Sequence, residues 1–397
     1  MRTIGIIAEY NPFHSGHRHH IARIREEFGP DCAVAAVMSG NWVQRGDAAV
    51  ADKWTRTRLA LAEGADLVIE LPTLWAVSSA ETFARAGVAL LDAMGCADIL
   101  SFGSEAGTLA PLEAAAACMD SEAWHGSLRR ALDRGLPFPQ ARQKAAEELI
   151  GPEAGCLRSP NNNLGVEYLR AIRTSGSSLL PHTVPRLGAG HDQQAESTDL
   201  HLSGSDLRDR ILRGTNEPLT PFLPPESESA LRRDPASLSF CTQGVLARLR
   251  AMEPEEFSLL PDSGEGLSNK LCSAAREAVD LDGLYALVKS KRYTLARIRR
   301  LVLWAFLGLK EADRPETPPY LRVLGFTPAG QQVLRHMKDT ARLPVLVKPA
   351  HSRRLEGPAR RIFSLEARCT GLYDLCRRSF GQADGPNEYT AGPVCKH

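Results

Sequence analysis

The chain opens with a strand, a turn and a helix in close succession, and that order constrains its architecture more than any other feature. Thr3 to Ala8 is a short Ile-rich run without polar alternation, the pattern of a strand covered on both faces. Tyr10-Asn11-Pro12-Phe13 reads as a turn, and Ser15 to Arg25 as a polar, basic helix. The cycle recurs. Cys32 to Met38, Asp66 to Leu71 and Asp98 to Phe102 read as further strands, with helices predicted at Asp52 to Glu63 and Ser79 to Ala93. Strands alternating with helices predict an α/β fold around a parallel, doubly wound sheet.

Leu109 to Ile150 is Ala-rich and predicted helical. Ser159 to Asn163 reads as a polar loop ahead of a helix at Leu164 to Arg173, and Leu179 to Val184 as another strand. Leu187 to Thr198 has the Gly-rich, polar composition of a mobile loop, and Ser203 to Leu212 opens with helix-start residues. Four prolines between Pro218 and Pro225 read as a linker. The chain beyond is predicted mostly helical to about Gly308, then Pro-rich from Arg314 to Pro319, with a frayed end. Two domains are expected, 1–217 and a mainly α-helical 218–397.

Composition excludes several classes. With 43% hydrophobic and 24% charged residues, the chain is an ordinary globular sequence. Its 48 basic and 47 acidic residues leave a net charge of +1, so any nucleic-acid footprint must be local. No apolar run approaches the ~18–20 residues of a membrane span. Glu9 cuts the first apolar run too early for a signal peptide, and a cytoplasmic location is expected. Nine cysteines, scattered and without a CxxC, predict neither a disulfide framework nor a structural zinc site. They read as free, largely buried thiols.

The chemistry concentrates at His14-Ser15-Gly16-His17. A strand-to-helix turn aims backbone N–H groups and the positive helix end at an anion. Gly16 would let a nucleotide approach closely. Two imidazoles at i and i+3 share a helix face and can donate hydrogen bonds to a phosphate in its transition state. A metal pair or plain surface histidines are the competing readings, but no carboxylate or cysteine completes a nearby ligand set. A second phosphate element is expected at Ser203-Gly204-Ser205-Asp206-Leu207-Arg208, where Ser203 and Ser205 offer hydroxyls at a helix start and Arg208 a charge. An ordinary capped helix is the alternative there. Gly283 to Lys310 holds Lys289, Lys291, Arg292, Arg297 and Arg299 without an acid, flanked by Tyr293 and Trp304. These basic residues are candidates for RNA phosphates and the two aromatics for base stacking. A second basic cluster runs from Lys348 to Arg361.

His-x-Gly-His after a first strand is the signature of a nucleotidyltransferase superfamily. The resemblance then becomes narrower. Gly5 to His17, Met38 to Gly46, Asp52-Lys53-Trp54, Gly64 to Pro72, Phe102-Gly103-Ser104-Glu105, Pro160-Asn161-Asn162, Lys291-Arg292-Tyr293-Thr294 and Pro319 to Gly325 resemble, in order, blocks of the bacterial tRNA(Met) cytidine acetate ligase family. The resemblance implies a Rossmann-like nucleotidyltransferase domain with a parallel sheet, followed by a helical tRNA-binding domain. It implies an ATP-dependent ligase that forms acetyl-adenylate and acetylates the wobble cytidine of elongator tRNA(Met), with no membrane or obligate protein partner. It implies that ATP is held by Ile7, Ala8, Glu9, Tyr10, Asn11, Pro12, Phe13, His14, Ser15, Gly16, His17, Arg18, His19 and His20, together with Gly103, Asn161 and Arg186. His14 and His17 are the expected catalytic residues, with Arg45 and Lys53 as further candidates and Mg²⁺ as the expected companion of ATP. A small-molecule adenylyltransferase without an RNA substrate is the alternative, resting on the two phosphate motifs alone.

Overall fold

The structure, a computed structural model, describes residues 1–186, 202–220, 222–224, 227–379 and 387–396. The strands among them are β1 (Thr3–Ala8), β2 (Ala33–Ser39), β3 (Trp42–Val43), β4 (Asp47–Ala48), β5 (Leu67–Leu71), β6 (Ile99–Ser104), β7 (Leu180–Pro185), β8 (Leu321–Phe326), β9 (Val345–Leu346) and β10 (Val394–Cys395). One sheet has the order β10-β8-β5-β2-β1-β6-β7, with β9 beside β8. Strands β5, β2, β1, β6 and β7 are mutually parallel. The short β3–β4 hairpin stands apart.

Both faces of the central strands are covered, as their unbroken apolar runs require. Ile4 and Ile6 point into one core with Ile21 and Ile24 of α1 (Ser15–Phe28) and Ala60 and Leu61 of α2 (Lys53–Ala62). Ile7, Val37 and Ile69 face the opposite core, against Val88 and Leu91 of the helix Ala80–Ala93. That helix sits close because both surfaces carry glycine. A Cβ on Gly5 would lie 2.6 Å from Leu91, and one on Gly87 would lie 2.6 Å from Ile7. Full burial of each such aliphatic side chain stabilises the fold by about 1.5–3 kcal/mol.

The predicted strands through β7 are found within a residue or two. Several other expectations are corrected. Asn161–Asn163 do not form a loop but lie in the first turn of the helix Pro160–Ser175, with Pro160 at its first position. The segment around Pro218 is a packed connection rather than a linker. Leu219 and Leu223 are buried with Val50, Leu59, Leu207 and Ile211. The Gly-rich stretch 187–198 lies outside the described residues. The chain beyond residue 217 returns to the sheet. There β8 pairs antiparallel with β5, and β10 closes the edge beside β8. The expected fraying of the end is overturned for 387–396, where Glu388 is 1% exposed. Among the described residues, no helix is long and apolar enough to cross a membrane.

Glu388 belongs to a buried charge cluster that joins the two halves of the chain. Lys53 of α2 reaches Glu70 of β5 at 2.5 Å and also pairs with Glu388. Thr370 donates to Glu388 at 2.8 Å, while Glu366 takes the N–H and hydroxyl of Thr73 at 2.6 and 2.8 Å. Arg322 of β8 is 1% exposed and donates to the carbonyl of Ala391 at 3.1 Å.

Candidate nucleotide site

Strand order reverses between β1 and β6. From β1 the sheet grows one way through β2 and β5, and the other way through β6 and β7. The crevice at the carboxyl ends of such strands is where open α/β sheets bind ligands. His14 lies there as the N-cap of α1. Its Nδ1 accepts the Gly16 N–H at 3.1 Å, and Nδ1 of His17 accepts the His14 N–H at 3.2 Å. Because each Nδ1 is an acceptor, a neutral ring carries its proton on Nε2. Burial first, then Arg186 and Arg208, pushes His14 down to about 4. Burial and then the neighbouring His14 hold His17 well below the ordinary imidazole range. At neutral pH the pair therefore presents two uncharged Nε2–H donors. The rings lie 3.9 Å apart, and Tyr10 and Phe13 fix His17 with centroids at 5.0 and 5.4 Å.

The backbone of the motif works differently from the sequence reading. The first N–H groups of α1 are not free for an anion. Ser15 donates to the carbonyl of Phe222 at 2.8 Å, and His17 and Arg18 donate to that of His14 at 2.9 and 3.2 Å. Gly16 makes room for an imidazole, since a Cβ there would sit 2.9 Å from Cε1 of His14. At this helix start the donors left unengaged are side chains.

Three guanidinium groups supply the charge. Arg45, on the turn of the β3–β4 hairpin, and Arg208, on the helix Gly204–Arg213, both donate to Oγ of Ser205, at 2.8 and 2.9 Å. Arg208 also donates to the Asn11 carbonyl at 2.6 Å. Ser203 takes the alternative role. Its Oγ donates to Asp206 at 2.7 Å and accepts the Asp206 N–H at 3.3 Å, a closed capping box. Arg186 follows β7 and donates to Oδ1 of Asn161 at 3.4 Å. A Cβ on Gly103 would lie 3.3 Å from Cγ of Arg186, so Gly103, Asn161 and Arg186 meet beside the histidines.

The rest of the segment is tied into the fold. Ile7, Tyr10, Pro12 and Phe13 are buried and Ala8 partly so. Glu9 accepts the Gln44 N–H at 2.7 Å, which anchors the hairpin bearing Arg45. Asn11 accepts the Val50 N–H at 2.8 Å and precedes a cis proline. Arg18 turns away to Glu63 at 2.6 Å, and His19 is partly buried. Lys53 is corrected outright, because it lies in the buried cluster and does not reach the site.

Sequence reasoning missed three features here. Glu105 accepts Nδ2 of Asn161 at 2.6 Å and the Asn162 N–H at 2.9 Å, holding the amide that faces Arg186. Arg56, fully buried, donates to the carbonyls of Glu9 and Ser39 at 2.6 and 3.1 Å and so ties the ends of β1 and β2. Finally, His20 Nε2 lies 2.8 Å from Ser101 Oγ, which lies 2.9 Å from Nδ1 of His182, whose Nε2 lies 3.0 Å from Glu27. The four groups form one hydrogen-bonded row between α1 and strands β6 and β7. The only sequence trace of it is the facing register of Ser101 and His182 on β6 and β7.

The basic residues of the C-terminal half divide. Lys289, Lys291 and Arg292 are exposed on the loop between the helices Leu281–Val288 and Leu295–Leu307, so they share no helix face. Arg297 is held by Glu265 at 3.0 Å, and Arg299 stacks over Tyr285 at 5.3 Å. The expected base-stacking role of the aromatics is corrected. Trp304 is fully buried, donating to the Val77 carbonyl at 2.7 Å, and Tyr293 is 7% exposed. The hairpin touches this helix, since a Cβ on Gly46 would lie 2.5 Å from the backbone of Arg299.

A parallel sheet with a histidine pair and three arginines at its switch point defines a nucleotide-handling protein of the nucleotidyltransferase type. The family model described as "HIGH Nucleotidyl Transferase" matches residues 1–387. The tRNA(Met) cytidine acetate ligase of Alkaliphilus metalliredigens is 32% identical, covering 99% of this chain and 98% of its own. That of a Thermoanaerobacter species is 36% identical over 96% of both. The crystal structure of Thermotoga maritima TmcAL bound with alpha-thio ATP superposes with a TM-score of 0.91 at 30% identity, over 100% of this chain and 99% of that one. The chain belongs to the HIGH nucleotidyl transferase family, and within it to the tRNA(Met) cytidine acetate ligases.

Proposed function

We propose that this chain is an ATP-dependent acetate ligase that acetylates the wobble cytidine of elongator tRNA(Met) to N(4)-acetylcytidine. The observation that carries the reading is the pair of Nε2–H donors beside Arg186, Arg208 and Arg45 in a chain similar end to end to ligases of that name. A carboxylate oxygen of acetate attacks the α-phosphorus of ATP, the bond to the β-phosphate breaks, and pyrophosphate leaves. Acetate is ionised at neutral pH and needs no base. Catalysis is then positioning and charge stabilisation. His14 and His17 donate to the phosphate as charge builds on its oxygens. Arg208 and Arg45, aligned through Ser205, and Arg186, aligned through Asn161, hold the triphosphate.

A divalent cation such as Mg²⁺ would neutralise phosphate charge. Among the described residues no group of three His, Cys, Asp or Glu forms a cage for it, and such an ion commonly takes phosphate oxygens and water with at most one or two carboxylates. In the second step the cytidine amine attacks the acetyl carbonyl and AMP departs. The exposed Lys289, Lys291 and Arg292, with Arg297 and Arg299 behind them, offer phosphate contacts for the tRNA along a helix that abuts the Arg45 hairpin. Residues 218–397 would form most of this docking surface.

The comparisons favour the tRNA ligase over a cofactor-type adenylyltransferase. Purified protein, ATP, labelled acetate and unmodified elongator tRNA(Met) test the proposal directly. Label in N(4)-acetylcytidine after digestion supports it. Acetyl-adenylate formed without label in RNA would overturn the tRNA assignment.

A further inference from the structure

The second step of the proposed reaction releases a proton from an amine, and the histidine pair is not set to receive it. Nδ1 of His14 and Nδ1 of His17 each accept a backbone N–H, at 3.1 and 3.2 Å. Nε2 carries the proton, so neither neutral ring keeps a free lone pair. The carboxylates around the crevice are engaged as well. Glu105 gives its two oxygens to Asn161 and Asn162. Asp206 closes its capping box with Ser203, and Asp47 turns to Leu238, whose N–H it accepts at 2.8 Å.

Glu9 is different. It follows β1 directly and is half-buried. Its Oε1 accepts the Gln44 N–H at 2.7 Å, while Oε2 makes no hydrogen bond among the described residues. Gln44 belongs to the β3–β4 hairpin that follows β2, so the carboxylate leans to the β2 side of β1. Gly103, Asn161 and Arg186 lie on the other side, with β6 and β7. The hairpin also abuts the helix Leu295–Leu307 at Gly46, next to the basic loop assigned to the tRNA. A carboxylate repels the triphosphate that Arg45 and Arg208 attract, so Glu9 is suited to a hydrogen-bond donor. Acetate has none. The cytosine amine is one, and a glutamate accepting from cytosine N4 is a common pairing. Gln44 adds to the match. Its Nε2 is a buried donor without a partner among the described residues, and the Watson–Crick edge of cytosine sets acceptors beside its amine.

We propose that Glu9 is a catalytic residue of the acetyl-transfer step, receiving on Oε2 the proton of the wobble cytidine amine. The assignment rests on the tRNA ligase reading. N4 of the cytidine bonds to the acetyl carbonyl carbon, and the bond from that carbon to the phosphate oxygen breaks. AMP leaves with the electron pair. The proton that N4 sheds passes to Glu9 and from there to water. Glu9 stands beside the motif that activates acetate, so one crevice serves both steps with different groups, neutral imidazoles for the phosphate and a carboxylate for the amine.

Single-turnover kinetics on the full-length protein separate the two steps. Enzyme, ATP and labelled acetate release pyrophosphate, and elongator tRNA(Met) added afterwards yields N(4)-acetylcytidine. Glu9→Gln keeps an acceptor for the Gln44 N–H and takes no proton. The expected result is a transfer rate about 10²–10⁴ below the parent, with pyrophosphate release lowered by less than about tenfold. Should that variant fail to fold, Glu9→Asp carries the test, and transfer should again slow more than pyrophosphate release. Equal losses in both steps, or a change confined to the KM for ATP, would place Glu9 on the nucleotide and overturn the proposal. So would a Glu9→Gln transfer rate within about threefold of the parent. A parent enzyme that releases pyrophosphate and labels no tRNA would overturn the ligase reading itself, and this assignment with it.

Discussion

His14 does two jobs that a single substitution can separate. Its Nδ1 caps α1 by accepting the Gly16 N–H at 3.1 Å, while Nε2–H is free to donate. Asparagine places a carbonyl oxygen near the Nδ1 position and is among the best N-cap residues. His14→Asn therefore keeps the cap and deletes the donor. The melting temperature should stay within about 2 °C of the parent. Acetyl-adenylate formation, followed by pyrophosphate release, should fall in kcat by about 10²–10³, or about 2.7–4 kcal/mol, the usual cost of one preorganised donor. Because the His14 and His17 rings are only 3.9 Å apart, both donors serve one phosphate group. His14→Asn with His17→Asn should then lose less than the product of the single effects. The pH profile gives an independent check. With His14 lowered to about 4, the imidazole is neutral from pH 6 to 8, so kcat/KM should carry no histidine limb there and should fall only on approach to pH 4. A His14→Asn enzyme within threefold of the parent would refute the donor role. A rate that climbs as pH drops from 8 to 6, through a limb absent from the variant, would refute the neutral form.

Three further outcomes follow from the same structure. Lys53→Met leaves Glu70 and Glu388, both buried, without their contacting cation, and urea unfolding should show a loss of about 3–5 kcal/mol; a loss below 1 kcal/mol would contradict the pairing. Burial first and Glu70 second raise Glu366 to about 8, well above its unfolded value of about 4.3, so the native state binds the extra proton and this group's share of stability, complete below about 4.3, is lost as pH rises through about 8. Glu366→Gln mimics the protonated acid toward Thr73 and should flatten that slope and be no less stable than the parent at pH 8.5; a variant with an unchanged slope would show that another group titrates. Reversing Lys289, Lys291 and Arg292 to Glu should raise KM for tRNA and make its salt dependence shallower by about 0.7–0.9 in log–log slope per lost phosphate contact, leaving acetyl-adenylate formation untouched; equal losses in both steps would place these residues elsewhere in the cycle.

What was legible in the sequence follows from how locally each feature is encoded. Parallel strands covered on both faces must be continuously apolar, so β1, β2, β5 and β6 stand out without knowledge of their neighbours. His14 and His17 are readable because three residues along a helix is a local relation. The antiparallel β8 was not legible, since six residues after a Pro-rich stretch carry no sign that their partner is β5. Trp304 and Tyr293 misled for a related reason. Both sit in a basic neighbourhood in sequence, but Trp304 belongs to the run Leu301–Leu307, whose every member is buried, and a Trp in such a run is core before it is a ligand.

The division of labour at the phosphate site was hidden at a finer level. Motif spelling does not reveal which nitrogen of a histidine is already engaged, nor that Ser203 caps its helix while Ser205 receives two arginines. Those assignments come from bonds between β1, the β3–β4 hairpin and the helix Gly204–Arg213, three elements that only the folded sheet brings together. They also change the chemistry that the motif implies. With the first backbone donors of α1 occupied, the proposed function has its phosphate meet side chains at this helix start. Under the proposed function, the affinity for ATP should then depend on how rigidly Asn161 and Ser205 hold their arginines, more than on the positive end of the helix.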